Sequence, residues 1–200
     1  MTLDSTPGAE QWEPWTPLQV AERLRGCRSL WGIAGGWALD LWLGRATRAH
    51  GDMEIAIARS ALGEIGERLG PHILYAAKDG LLKPLDDAGA DQAGQVWVLD
   101  PVAGKWRLDL LLDPGDESLW IYRRDARVQS LRRDVIASTA EGIPYLRPHV
   151  VLLFKARNPR PKDQIDLAEC LGELDRSQRD WLRDALLTAH PQSPWLGLLV

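Results

Sequence analysis

An α/β (α+β) fold, a mixed sheet flanked by helices with a C-terminal helical segment, is predicted by three observations. The first is the stretch Trp31–Ile57, WGIAGGWALDLWLGRATRAHGDMEIAI. There a short apolar strand, a Gly-Gly turn, a short helix and a second apolar strand follow one another. The second is a pair of apolar runs, Val96–Leu99 and Lys105–Leu112, joined by Asp100-Pro101 and Gly104 in the manner of a hairpin. The third is a change of pattern at Pro148, after which the chain reads as helix almost to its end.

The elements follow in order. Residues 1–15 are polar and carry Pro7, Gly8 and Pro14, which predicts a loose arm. Thr16-Pro17-Leu18-Gln19 combines an N-cap Thr, Pro at the first helical position and Gln three residues after the cap. That opens a helix running to about Arg25. Leu30–Ala34 is a buried strand, Trp37–Leu43 a short helix closed by Gly44, and Asp52–Ala58 the next strand. Ser60 caps a helix to Leu69, stopped by Gly70-Pro71, and His72–Ala77 is a strand. Lys78–Gln95, rich in Gly, Asp and Ala, reads as mostly loop, and Leu119–Arg123 as a further strand. Three helices end the chain, Pro148–Arg157, Lys162–Leu174 and Ser177–Ala189, the last with Ser177 and Asp180 as its capping pair. The expected organisation is an α/β domain over residues 16–146 with a helical segment, 147–200, packed on it.

Bulk properties narrow the function classes. Two hundred residues suffice for one domain with a real core. The formal charge of −4 and a pI near 5.6 disfavour a nucleic-acid partner, and the basic runs are short, Arg123-Arg124 and Arg132-Arg133. Cys27 and Cys170 have no Cys or His neighbours at metal-ligand spacing and read as reduced thiols. The N-terminus lacks the basic and apolar regions of a signal peptide, and the longest apolar window, Trp31–Gly44, is too short to span a bilayer. The expectation is a cytoplasmic protein with no membrane association and an undetermined oligomeric state. Ten tryptophans against one phenylalanine point to a Trp-rich core, or to Trp37, Trp42 or Trp97 walling a pocket.

Chemistry concentrates in a few residues. Asp52, Met53, Glu54 and Ile55 alternate polar and apolar, so both carboxylates face one way, with Cα atoms roughly 6.6 Å apart at strand rise. Two acids so spaced suit a pair of Mg²⁺ ions, which sit ~3.5–4 Å apart in two-metal sites. Gly35 and Gly36 carry no side chain to hold a phosphate away from backbone N–H groups at the following helix N-terminus. No G-x-x-x-x-G-K-[ST] string occurs. Asp109 lies in Trp106–Leu112 on the face of Arg107 and Leu111, opposite Trp106, Leu108, Leu110 and Leu112. An acid inside so apolar a run is paired, to Arg107 for instance, or ligates a cation. Arg48 is a phosphate contact or a solvated loop charge, and Asp40 reads as fixing its helix or a neighbouring loop. Asp163 and Asp166 share a helical face. They either bind Lys155 or Arg157 or meet a cationic acceptor.

Gly35-Gly36 followed by Asp52-Met53-Glu54-Ile55 resembles the nucleotidyltransferase signature of the DNA polymerase β-like superfamily. With Trp37, Ala38, Leu39, Asp40, Thr47, Arg48 and His50 included, the string more narrowly resembles the aminoglycoside 2″-nucleotidyltransferase and lincosamide nucleotidyltransferase group. Glu54 departs from the antibiotic-modifying members, which usually carry Asp there. The resemblance implies a polymerase β-like fold and transfer of AMP from ATP, or from another NTP, to a small-molecule hydroxyl. It implies two Mg²⁺ ions held by Asp52, Glu54 and Asp109, with Asp109 as the third ligand and a general base. Phe154-Lys155-Ala156-Arg157, followed by Arg160-Pro161-Lys162-Asp163 and Asp166, resembles the lysine-bearing helix motif of small nucleotidyltransferases, which assigns Lys155 to the triphosphate. The implied acceptor is an aminoglycoside or lincosamide antibiotic, and the acids Asp79, Asp86, Asp87 and Asp91 would suit an amine-bearing one. Two rivals stand beside this: a toxin–antitoxin nucleotidyltransferase acting on RNA or protein, and a catalytically silent nucleotide-binding module.

Overall fold

The computed structural model describes residues 6–199. In chain order its elements are α1 (Pro17–Arg23), β1 (Trp31–Ile33), α2 (Gly35–Leu43), β2 (Glu54–Ala58), α3 (Leu62–Arg68), β3 (Ile73–Lys78), β4 (Leu81–Pro84), α4 (Asp87–Gln92), β5 (Gln95–Asp100), β6 (Lys105–Asp113), β7 (Leu119–Ile121), β8 (Gln129–Leu131), α5 (Arg132–Val135), β9 (Ile136–Ser138), β10 (Pro144–Leu146), α6 (Pro148–Lys155), α7 (Pro161–Leu171) and α8 (Arg176–Ala189). Eight strands form one mixed sheet in the order β4-β3-β5-β6-β2-β1-β10-β9, and β7 and β8 pair separately. This is the α/β (α+β) architecture the sequence predicts. No helix among the described residues is long and apolar enough to cross a membrane.

Glu54 and Asp109 lie on the two central strands of the sheet. β2 runs parallel to β6 and antiparallel to β1. Ile55, Ala56, Ile57 and Ala58 are all buried, as expected for a central strand covered on both faces. A register shift at Val98/Leu99 pairs Leu99 with Trp106 and leaves Arg107 as the extra residue. Strict alternation would place Trp106 with Leu108 and Leu110. The bulge instead carries it into a second small core with Tyr75 and Leu99, against which Trp97 packs.

The arm expected to be loose is docked where it is described. Trp106 N–H donates to Gln11 O at 2.9 Å, Glu13 N–H to Trp106 O at 3.0 Å and Trp15 N–H to Arg107 O at 3.1 Å. Trp12 meets Trp97 edge-on at 4.9 Å, and Trp15 is buried. The two indoles supply apolar area that a reading based on polarity undervalues. Residues 1–5 lie outside the described residues.

Residues 78–95 also hold more order than expected, the β3–β4 hairpin and α4, whose first turn is capped by the Asp86 carboxylate on Gly89 N–H at 2.6 Å. The side chains of Asp87 and Asp91 lie outside the described residues. At the other end, α8 is capped two residues earlier than expected. Asp175 and Gln178 form the reciprocal capping box in place of Ser177 and Asp180. The helix α6, with Pro148, His149, Val150, Val151, Leu152 and Leu153 all buried, packs between α2 and α8. That brings the helical segment against the Gly-Gly turn.

Candidate active site

Two of the three acids come from neighbouring parallel strands. Glu54 and Asp109 are direct register partners across β2 and β6. Register partners on adjacent strands project to the same face about 4.8 Å apart. The strand expected to begin at Asp52 begins at Glu54, so Asp52 lies just outside the sheet ladder. Asp109 is only 5 % exposed, and its Oδ2 accepts from Gln95 Nε2 at 2.9 Å. Its other oxygen, Oδ1, is buried with no hydrogen-bond partner. Burial, then the charges of Glu54 and Asp52, push the Asp109 carboxyl well above the usual carboxylate range. Burial and Asp52 likewise raise Glu54. The alternative partner for Asp109 is otherwise engaged, since Arg107 pairs with Glu13 at 2.9 Å and with Asp100 at 3.1 Å.

Crowded carboxylates with an orphaned, buried oxygen are suited to a cation. Among the described residues no three His, Cys, Asp or Glu side chains close around a common point as a metal cage. Mg²⁺ keeps water and substrate phosphates among its ligands, so an open carboxylate cluster is the donor set it takes in phosphoryl transfer. The acids fit that role.

The Gly-Gly turn is tied to these acids more closely than the sequence suggested. Gly35 has φ +61° and begins α2, whose N-cap residue, Ala34, offers no side-chain cap. The first N–H groups of α2 are therefore left for another partner, which in a helix N-terminus favours an anion. A Cβ on Gly35 would overlap the Glu54 carboxylate, and a Cβ on Gly36 would overlap the His50 ring and the Arg48 guanidinium. Both glycines are thus required by the packing of neighbouring side chains.

A cleft of ≈ 290 Å³ opens beside the turn, walled by Gly35, Glu54 and Leu111 on the sheet side and Phe154, Lys155 and Asn158 on the helical side. Four arginines also line it: Arg123, Arg124, Arg157 and Arg160. Arg124 donates to Phe154 O at 2.6 Å, and the Arg123 guanidinium lies 5.7 Å from the Phe154 ring centroid. Arg160 pairs with Asp163 at 2.8 Å. Arg157 has no ion pair or hydrogen bond among the described residues. Lys155 and Arg160 are paired with aspartates, while Arg123, Arg124 and Arg157 form no ion pair among the described residues, so the cleft carries unpaired positive charge.

Of the predicted site residues, Gly35, Glu54 and Lys155 line the cleft. Gly36 adjoins Gly35, Asp109 stands beside Glu54 in register, and Asp52 precedes Glu54 by one extended repeat. Arg48, expected at the phosphates, points elsewhere, donating through Nε and Nη2 to the two Asp166 oxygens at 2.8 and 2.9 Å. Lys155 is held by the same cluster, with Nζ 2.8 Å from Asp166 and 3.1 Å from Asp163. The sequence reading missed the four cleft arginines. Their signal was present, in the Arg123-Arg124 pair and in the spacing of Arg157 and Arg160, but no local pattern says that two distant segments face one cavity.

A family model described as Aminoglycoside-2''-adenylyltransferase matches residues 17–84. A 2''-aminoglycoside nucleotidyltransferase from Escherichia coli is 37% identical over 72 residues, which are 34% of this chain and 40% of that protein. One from Klebsiella pneumoniae matches to the same extent. The chain thus spans 40% of the length of these curated relatives, and the matched family segment ends before Asp109 and Lys155. Among solved structures, the antibiotic-resistance factor ANT(2'')-Ia in solution aligns over 85% of this chain and 86% of its own, with 19% identity and TM-score 0.48. ANT(2")-Ia in complex with adenylyl-2"-tobramycin aligns over 84% and 92%, with 17% identity and TM-score 0.47. Residues 17–84, the part that the family model matches, carry Gly35, Gly36, Asp52 and Glu54.

Proposed function

We propose that this protein is a Mg²⁺-dependent nucleotidyltransferase that moves AMP from ATP onto a hydroxyl of a small molecule, an aminoglycoside or lincosamide antibiotic. The observation that carries the reading is the register pairing of Glu54 with Asp109, whose Oδ1 is buried without a partner, beside a cleft lined by four arginines and Lys155.

The chain's own residues divide the work. Arg123, Arg124, Arg157 and Arg160 receive the triphosphate, with Lys155 adding positive charge from its place between two aspartates. The free N–H groups at the start of α2 meet a non-bridging oxygen, the Gly35-Gly36 backbone lying close enough because no side chain intervenes. The acceptor hydroxyl attacks the α-phosphorus. A new P–O bond forms there, the bond to the bridging oxygen breaks, and pyrophosphate departs. Asp109 takes the hydroxyl proton. Held by Asp52, Glu54 and Asp109, two Mg²⁺ ions would supply charge neutralisation for the attacking and leaving oxygens. Gln95 orients Asp109 through the hydrogen bond to Oδ2, leaving Oδ1 for the reaction.

The test is incubation with ATP, Mg²⁺ and a panel of aminoglycosides and lincosamides, read by mass spectrometry. One AMP should be added to an acceptor by the wild-type chain and none by Asp52→Asn. A folded protein that adds nothing to any acceptor with any of the four common NTPs would overturn the reading.

A further inference from the structure

Asp52 raises a problem of placement. It lies outside β2, so no ladder hydrogen bond fixes it, yet a metal-ligating carboxylate has to be held within a fraction of an ångström. Three contacts converge on its short segment. Trp37, in the first turn of α2, donates its indole N–H to the Asp52 carbonyl at 3.1 Å. The Trp37 ring lies 4.8 Å from the His50 ring, which fills the space that a Cβ on Gly36 would need. His50 Nε2 meets Asp40 Oδ2 at 2.7 Å, with side chains only 3% and 6% exposed. Asp40 Oδ1 accepts from both the Thr47 amide, at 3.0 Å, and the Thr47 hydroxyl, at 2.6 Å. One buried carboxylate therefore gathers the loop between α2 and β2 at two points. The next side chain in the chain of contacts hands that order to Trp37 and so to Asp52.

We infer that Trp37, His50 and Asp40 form a positioning clamp that sets the placement of Asp52 relative to Glu54 from the first turn of α2. The same turn touches both acids, Glu54 through the missing side chain of Gly35 and Asp52 through the Trp37 N–H. The glycine pair and the tryptophan are thus one device. Its rigidity comes from a helix and a buried polar network in place of sheet pairing. None of the three residues touches substrate in this account; each acts through Asp52. The inference rests on the proposed metal role of Asp52 and goes beyond it by naming what holds that residue in place.

The direct test is Trp37→Phe, which keeps the ring and removes the donor. Trp195→Phe is the control, because it removes a comparable indole bond, Trp195 Nε1 to Gln164 at 3.1 Å, elsewhere in the fold. Two readouts are needed. Amide hydrogen exchange at Asp109, whose N–H donates to the Met53 carbonyl at 2.8 Å, should quicken about three- to ten-fold in metal-free Trp37→Phe, the equivalent of one ordinary hydrogen bond, and stay unchanged in the control. Binding of Mn²⁺, followed by the loss of its free electron-paramagnetic-resonance signal, should weaken by a similar factor in Trp37→Phe alone. His50→Gln, which can keep a donor to Asp40 while losing the ring beside Trp37, should move both readouts in the same direction, and serves if Trp37→Phe does not fold. Unchanged exchange and Mn²⁺ affinity in the Trp37 variant, with Mn²⁺ bound normally by wild type, would overturn the clamp and leave the proposed function standing. Faster exchange in Trp37→Phe without any Mn²⁺ binding by wild type would keep the structural clamp and sink the metal reading on which its purpose depends.

Discussion

Replacing Lys155 with methionine separates a structural lysine from a phosphate-binding one. In the folded protein its ammonium lies between Asp163 and Asp166, with the three side chains 9%, 2% and 1% exposed. Removing one partner of a buried ion pair costs about 3–5 kcal/mol when the other is left alone. Here neither aspartate is left alone, since Asp166 keeps Arg48 at 2.8 Å and Asp163 keeps Arg160 at 2.8 Å. The expected loss is therefore nearer ~2–3 kcal/mol, and at ~2–4 °C per kcal/mol for a chain of this size Tm should fall by roughly 4–12 °C. The pH dependence has a defined sign. Burial alone would raise both aspartates, but hydrogen bonds from Arg160 and Lys155 to Asp163, and from Arg48 and Lys155 to Asp166, hold both carboxyls below the usual range. Groups with depressed folded pKa values contribute stability above their unfolded pKa, near 4, and lose it as pH falls further. The gap between wild type and Lys155→Met, measured by circular-dichroism melting, should thus be full at pH 7 and close below pH ~4. A variant that melts within a degree of wild type at pH 7 while its KM for ATP rises steeply would refute the reasoning. Lys155 would then be a free phosphate ligand.

Other substitutions probe other parts. Asp109→Asn should raise Tm in the absence of divalent cations at neutral pH, because a raised carboxyl pKa means that ionisation costs stability as pH rises through it; single-turnover transfer should fall by about 10²–10⁴-fold. Arg157→Ala should leave Tm unchanged, Arg157 having no partner among the described residues, and should raise KM for the nucleotide by roughly 10- to 100-fold, as befits one charged hydrogen bond. His149 is 8 % exposed against Trp181, and burial, then Arg147, lowers its pKa to about 4. Stability should consequently be lost as pH falls from 6.5 toward 4, by up to about 3 kcal/mol, and His149→Phe should abolish that slope in equilibrium urea unfolding.

What was legible in the sequence was local. Gly35-Gly36, the Asp52/Glu54 alternation, Pro at the first position of α1 and α6, and the apolar runs of β2 and β6 all act through neighbours a few residues away, where spacing and side-chain type suffice. The bulge at Val98/Leu99 was not legible, because Trp106 is as apolar as Leu108 and only pairing with β5 shows which face it takes. The same limit explains Arg48, whose partner Asp166 is 118 residues away. It also explains the cleft arginines, which reach one cavity from the segment after β7 and the turn between α6 and α7. The capping of α8 was misplaced because both Asp175 and Ser177 are good caps, and Asp175 is the one that makes the reciprocal box, with Gln178 three residues on.

The central claim is that Asp52, Glu54 and Asp109 serve one nucleotidyl transfer. Its most direct measurement uses ATP labelled at the α-phosphate, with Mg²⁺ and each aminoglycoside in turn, counting label in the acceptor and pyrophosphate released in the same reaction. The account predicts one labelled AMP per acceptor and one pyrophosphate to match, absent without Mg²⁺ and lost in Glu54→Gln. Label transferred undiminished by folded Glu54→Gln, or none transferred by the wild type to any acceptor, would contradict it.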